Sequence, residues 1–373
     1  MVPELSISNL AHTGVNGVHD AHDVRIPDLA AAELATPQVT VTEMASPPSV
    51  TSTLILGPDG APTTGRRSGA VVRPPSIILR PRPESRFTLP RATSEQLLDR
   101  LVLESPLVGP PPRTTIIVAH PDDEAIGAGA LMRDLPEVVV AHVTDGAPSH
   151  LEAARRNGHG TREDYARARR EEVVAALALV GVPAQRIRCL GYVDGEAALR
   201  LVEVSYAVAG MLDELRPEVV LTHPYEGGHT DHDATAFAVH LACGVLRREG
   251  VPAPIVLELA SYHNRGGRRV HADFLPFWQV PTRRVDLPPE AQHLKARMFR
   301  YFTTQQKVLS SFPLNIERFR IAPRYLFTVP PHDGPLDYEH YCTTITGAEW
   351  RANAEKALHI LRAKRRVASR RAS

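Results

Sequence analysis

Cysteine, net charge and long apolar runs are all scarce in this chain. The three cysteines, Cys189, Cys243 and Cys342, stand far apart with no metal or disulfide spacing, which argues against a disulfide scaffold and for a reducing compartment. A formal net charge of +1 supplies no general pull towards nucleic acid or acidic surfaces. No uncharged stretch reaches the roughly 20 apolar residues of a membrane helix, and residues 1–17 lack the basic start and apolar centre of a secretion signal. The expectation is a soluble cytoplasmic protein without a membrane or nucleic-acid partner, with a homo-oligomer left open.

Proline, by contrast, is plentiful at one end. About half of the 33 prolines precede Arg113, in a stretch also rich in Ser, Thr and Ala. Residues 1–112 are therefore expected to form a Pro-rich extension, extended or disordered in large part. Short strands are expected at 39–41 and 52–56, extended arms at 76–80 and 87–89, and a short helix at 94–101 capped by Ser94.

From Arg113 apolar runs alternate with helical periods. Strands are expected at 114–119, 137–143, 186–190, 219–221 and 254–259, and helices at 124–133, 162–180 and 199–215, with another after residue 230. This alternation predicts an α/β fold with a Rossmann-like open, mostly parallel sheet flanked by helices. The core is expected to span 113–312, with 268–286 irregular and one long helix carrying Leu294, Met298, Tyr301, Leu309 and Phe312. Residues 313–373 read as a C-terminal extension. Its segment 317–331 is expected to lie back across the domain, and its basic helical tail, with Lys364-Arg365-Arg366, to be a solvated face.

Two stretches carry the chemistry. His120-Pro121-Asp122-Asp123-Glu124 follows the first core strand, and Thr222-His223-Pro224-Tyr225-Glu226-Gly227-Gly228-His229-Thr230-Asp231-His232 follows the fourth. Both sit where open α/β sheets place ligands. His120, Asp123 and a histidine of the second stretch make a three-ligand site with one open position, the pattern of a catalytic zinc. Zinc there lowers the pKa of bound water to about 7. Asp122 has the chemistry of a general base, and His229 that of a donor to an oxyanion or a leaving amine, held by Asp231 as a carboxylate behind it. His223 is expected to satisfy a loop hydrogen bond, and His142 to be a core histidine.

The two motifs together resemble the LmbE-like or PIG-L family of zinc-dependent N-acetylglucosaminyl deacetylases, over about residues 114–259 and more loosely 295–305. The resemblance implies zinc on His120, Asp123 and His232, with Asp122 as the base and His229 stabilising the transition state with Asp231. It also implies a sugar pocket lined by Arg169, with Glu172 three residues on, and by Asp194; Arg170 could replace Arg169. Ala147 stands where some relatives carry an acid, and Gly227 where some carry a tyrosine, so Tyr225 is expected to swing in as a donor. The implied activity is zinc-dependent hydrolysis that removes the acetyl group from an N-acetylated amino sugar or sugar conjugate. Two alternatives stay open: a ferrous-iron oxygenase built on the two histidines and one aspartate, and a non-catalytic sugar-binding protein.

Overall fold

The computed structural model describes residues 94–102, 111–277, 279–341 and 345–371, with side chains through 361. The strands expected near 39–41 and 52–56, the arms at 76–80 and 87–89, Cys342 and the basic side chains of the tail lie outside the described residues.

After α1 (Ser94–Val102), strand and helix alternate: β1 (Thr114–Val118), α2 (Asp123–Ala128), β2 (Val139–Pro148), α3 (Glu152–Arg156), α4 (Arg162–Ala178), β3 (Ile187–Asp194), α5 (Leu201–Leu215), β4 (Val219–Thr222), α6 (Thr230–Arg248) and β5 (Ile255–Leu259). A hairpin of β6 (Tyr262–Arg265) and β7 (Arg268–His271) follows, then β8 (Thr282–Asp286), α7 (Pro289–Tyr301), α8 (Gln306–Leu309), β9 (Ile316–Ile321) and α9 (Gly347–Arg371). Among the described residues the main sheet has seven strands, in the order β3-β2-β1-β4-β5-β9-β8. Its first five strands are parallel, while β9 runs antiparallel to both β5 and β8. The expected α/β architecture is the one observed.

Helices cover both faces of this sheet, which is why its central strands read as unbroken apolar runs. In β1, Ile116 and Val118 pack into a layer with Ile126, Val173 and Met298. Ile117 enters the opposite layer with Val204, Val208 and Phe237. Each such aliphatic side chain contributes roughly 1.5–3 kcal/mol on full burial. The helix α4 is capped by Thr161, whose hydroxyl accepts the Asp164 N–H at 3.0 Å.

Charged residues account for the departures from the expected elements. Residues 268–286, expected to be irregular, contain β7 and β8; β8 is held by pairing with β9, and its Thr-Arg-Arg-Val-Asp sequence has no apolar alternation to reveal it. The segment 317–331 does not simply lie across the domain, because β9 within it is an interior strand, and the sheet continues past residue 312. The charges of β9 are paired in the interior: Glu317 with Lys295 at 3.1 Å, and Arg320 with Glu258 at 2.7 Å. The same Glu317 accepts the Ala130 and Leu131 N–H groups at 2.8 and 3.3 Å, and the helix expected over 124–133 is an α2 ending at Ala128 followed by a separate 3₁₀ turn. The single long helix expected up to Phe312 breaks after Tyr301. There the Glu172 carboxylate takes the Thr304 N–H at 2.8 Å and the hydroxyls of Thr303 and Thr304, so Glu172 braces this break.

Candidate active site

β1 and β4 are neighbours in register, Ile117 opposite Thr222. From β1 the chain crosses to β2 on one side, and from β4 to β5 on the other. The two motif loops thus leave adjacent strand ends at a topological switch point, where the sheet opens a crevice. That is how side chains a hundred residues apart come within bonding distance.

The first loop turns through Asp122, whose φ of 147° and ψ of −25° lie in a region costing a non-glycine residue about 1–3 kcal/mol. Neighbouring groups hold it there. The Asp122 N–H donates to Glu124 Oε2 at 3.2 Å, and the same oxygen is 2.9 Å from His142 Nε2. Arg169 Nη2 donates to the Pro121 carbonyl at 2.6 Å and lies 3.4 Å from Asp122 Oδ2. His142 is a core histidine, as expected, with Glu124 as its buried partner.

Asp123 is the centre of the cluster. His120 Nδ1 lies 3.1 Å from its Oδ2, and His232 Nε2 lies 3.2 Å from its Oδ1. For bonds of about 2.0–2.2 Å, tetrahedral zinc ligands stand roughly 3.3–3.6 Å apart; the two contacts to Asp123 are slightly shorter and fall on different carboxylate oxygens, and one carboxylate with two imidazoles is a donor set that zinc accepts. Burial pushes Asp123 up, but His232 and His223 hold it below the usual carboxylate range; burial above all holds His232 down to about 4. Both are then in the unprotonated form that ligation needs.

Three overlapping groups could hold a metal ion among the described residues: His120 with His229 and His232, Asp123 with His223 and His232, and His120 with Asp194 and Asp231. No one of these groups holds His120, Asp123 and His232 together: His120 shares one group with His232 and Asp123 shares another, so His232 is the common member. His223 stacks on His232 at 3.9 Å between ring centroids, but its Nε2 accepts the Ala119 N–H at 3.0 Å. That is the expected loop hydrogen bond, and it occupies the lone pair a metal would need.

Burial and the neighbouring His120 hold the pKa of His229 down to about 4. His229 caps α6, and its Nδ1 accepts the Asp231 N–H at 3.1 Å. A neutral ring with Nδ1 accepting carries its proton on Nε2. The Asp231 main chain thus fixes the tautomer, and its carboxylate is not the group that holds His229, contrary to expectation. That carboxylate accepts the Gly195 and Ala197 N–H groups at 2.6 and 3.1 Å and reaches His120 Nε2 at 3.3 Å. A carboxylate on the remote nitrogen of a ligand histidine is a familiar orienting device. Asp194 joins it, with Oδ1 3.2 Å from the same Nε2. Burial pushes Asp194 up, but His120 holds it below the ordinary range.

Arg169, rather than Arg170, is the arginine at the site: Arg170 donates to the Ile187 carbonyl at 2.8 Å. Arg169 is 3% exposed and braces Pro121 and Asp122. One other expectation changes: Tyr225 points away from the chemistry. Its hydroxyl donates to the Val329 carbonyl at 3.0 Å, and its ring packs with Phe327 and Trp350 in an apolar cluster. Tyr225→Phe is therefore expected to leave kcat unchanged and to cost about 1 kcal/mol of stability, checked by turnover and denaturant unfolding.

The sequence did not announce the groups that wall the site. Tyr262 of β6 sets its ring 5.3 Å from that of His232, and Tyr341 stacks beside His229 at 6.2 Å. The only advance signal was the Gly227-Gly228 doublet. A Cβ on Gly228 would lie 2.1 Å from the Tyr262 carbonyl oxygen, and one on Gly227, at φ +70°, would lie 2.7 Å from Leu336; the doublet lets both segments approach.

Residues 115–243 match the PIG-L family, described as GlcNAc-PI de-N-acetylase. This stretch is similar to a PIG-L family domain. The matched stretch holds both motif loops, whereas Tyr262 and Tyr341 lie beyond it. A probable N-acetyl-α-D-glucosaminyl L-malate deacetylase 2 of Bacillus cereus is 27% identical over 154 residues, covering 40% of this chain and 68% of the relative. Among solved structures, a deacetylase of the teicoplanin biosynthesis pathway is 22% identical with a TM-score of 0.43, over 56% of this chain and 96% of that one. The N,N′-diacetylchitobiose deacetylase of Pyrococcus horikoshii is 20% identical with a TM-score of 0.42, over 66% and 99%. Among the described residues, no helix is long and apolar enough to cross a membrane.

Proposed function

We propose that the protein is a zinc-dependent N-deacetylase that releases acetate from an N-acetylated amino sugar or sugar conjugate. The observation that carries this reading is the buried Asp123 carboxylate, with His120 on one oxygen and His232 on the other, beside a second carboxylate, Asp122. His120, Asp123 and His232 would hold the ion. When bound, zinc supplies a Lewis acid that polarises the acetyl carbonyl and acidifies water.

The remaining work falls to side chains. Burial raises Asp122 to about 8 against the opposing pull of Arg169, which gives it an unusual affinity for a proton; a cation bound nearby favours its carboxylate form. Asp122 takes a proton from water as the water oxygen bonds to the carbonyl carbon. The carbonyl oxygen becomes an oxyanion, and His229 Nε2–H donates to it. The carbon–nitrogen bond then breaks, and Asp122 returns the proton to the departing amine, leaving acetate and a free amino sugar. His229, neutral in this state, serves as the oxyanion donor rather than the acid. The GlcNAc-PI de-N-acetylase description of the family and the glucosaminyl malate deacetylase of Bacillus cereus support an N-acetylglucosaminyl conjugate as the substrate class.

The test is acetate release across a panel of N-acetylglucosamine conjugates, with metal content measured on the same samples. Release that a chelator abolishes and zinc restores is expected. No release from any conjugate by zinc-loaded protein would reject hydrolysis in favour of sugar binding alone, and activity that needs iron and consumes dioxygen would support the oxygenase.

A further inference from the structure

We infer that the ring of Tyr341 is a sugar-stacking subsite, contributed by the C-terminal segment to the site that the PIG-L-like stretch builds. This inference rests on the proposed deacetylase reading. Tyr341 is 44% exposed, although its ring stands beside His229, with centroids 6.2 Å apart and planes 26° apart. Its hydroxyl donates to the Gly228 carbonyl at 2.6 Å. With the hydroxyl engaged inside the protein, what Tyr341 offers a ligand is its apolar ring. An aromatic ring binds the C–H face of a pyranose by area burial and weak electrostatics, not by hydrogen bonds.

The ring is also held in place. The Arg269 guanidinium lies 5.3 Å from the Tyr341 centroid and 5.0 Å from that of Tyr262. Arg269 is itself fixed by Asp337, which is 3% exposed and receives Nε at 2.9 Å and Nη2 at 2.7 Å. The Asp337 N–H donates to the Gly227 carbonyl at 2.8 Å, tying this segment to the loop that presents His229. A ring immobilised before the ligand arrives loses little entropy on binding.

The experiment measures calorimetric binding of two probes, the methyl glycosides of N-acetylglucosamine and of glucosamine, to the zinc-loaded full-length protein. Tyr341→Ala is expected to weaken both by about 5–10-fold, by the same factor, because the ring meets the sugar and not the acetamide. Tyr341→Phe keeps the ring and is expected to hold the affinity within about 2-fold. Tyr301→Ala, which removes another tyrosine that is 44% exposed, leaves it unchanged. Equal weakening in Tyr341→Phe and Tyr341→Ala would assign the effect to the hydroxyl and overturn the inference. So would unchanged affinity in Tyr341→Ala, loss confined to the acetylated probe, or no binding of either probe to the unmodified protein. Zinc content of each variant reports separately on the integrity of the metal site. Acetate release by the unmodified protein decides the deacetylase reading independently.

Discussion

Asp122→Asn is expected to lower kcat by about 10²–10⁴-fold, the usual contribution of a positioned general base, while zinc content and KM stay near their original values. The amide occupies the volume of the carboxylate and cannot take the proton of the attacking water. Asparagine also tolerates unusual backbone angles better than most residues, so the turn at φ 147° survives the exchange. The Asp122 N–H keeps its acceptor on Glu124, and the Pro121 carbonyl keeps Arg169. A loss of kcat with bound zinc thus reports on proton transfer, not on the shape of the loop. Near-normal turnover would move the base elsewhere, with Asp194 the next carboxylate beside His120.

His120→Ala and His223→Ala are expected to part ways in metal content. Removing His120 takes away one of the nitrogens facing Asp123, and zinc and acetate release should both be lost. Removing His223 takes away a ring whose Nε2 is already engaged by the Ala119 N–H, and zinc should remain near one equivalent. A ligand set of Asp123, His223 and His232 would give the reverse, with metal lost from His223→Ala and kept in His120→Ala. Metal analysis of the two purified variants distinguishes these sets without any substrate. The expected loss of turnover in His120→Ala is close to complete, because the Lewis acid and the acidified water go with the ion.

The order of strands and helices in the core was legible in the sequence because both faces of this sheet are covered. Burial on two sides selects continuous apolar runs such as Thr114–Val118 and Val219–Thr222, and those are visible in a string of letters. The two motif loops were legible too, since ligand and carboxylate chemistry admits few residue types. Tertiary structure decided what each polar side chain faces. Tyr225 stands in the motif loop, yet its ring packs with Phe327 and Trp350, segments more than a hundred residues away that no local period announces. Arg169 and Glu172 share one face of α4, but one braces Pro121 and the other the break before α8. Asp231 was expected to hold His229 by its carboxylate and does so by its N–H, because the carboxylate turns to Gly195, Ala197 and His120. β9 escaped notice because its Glu317 and Arg320 find partners inside the fold, and a buried ion pair looks in sequence like a solvated surface. Hydrophobic burial adds up along the chain and leaves a periodic trace. Hydrogen bonds and ion pairs join single atoms across it, and their partners exist only once the sheet has brought distant loops together.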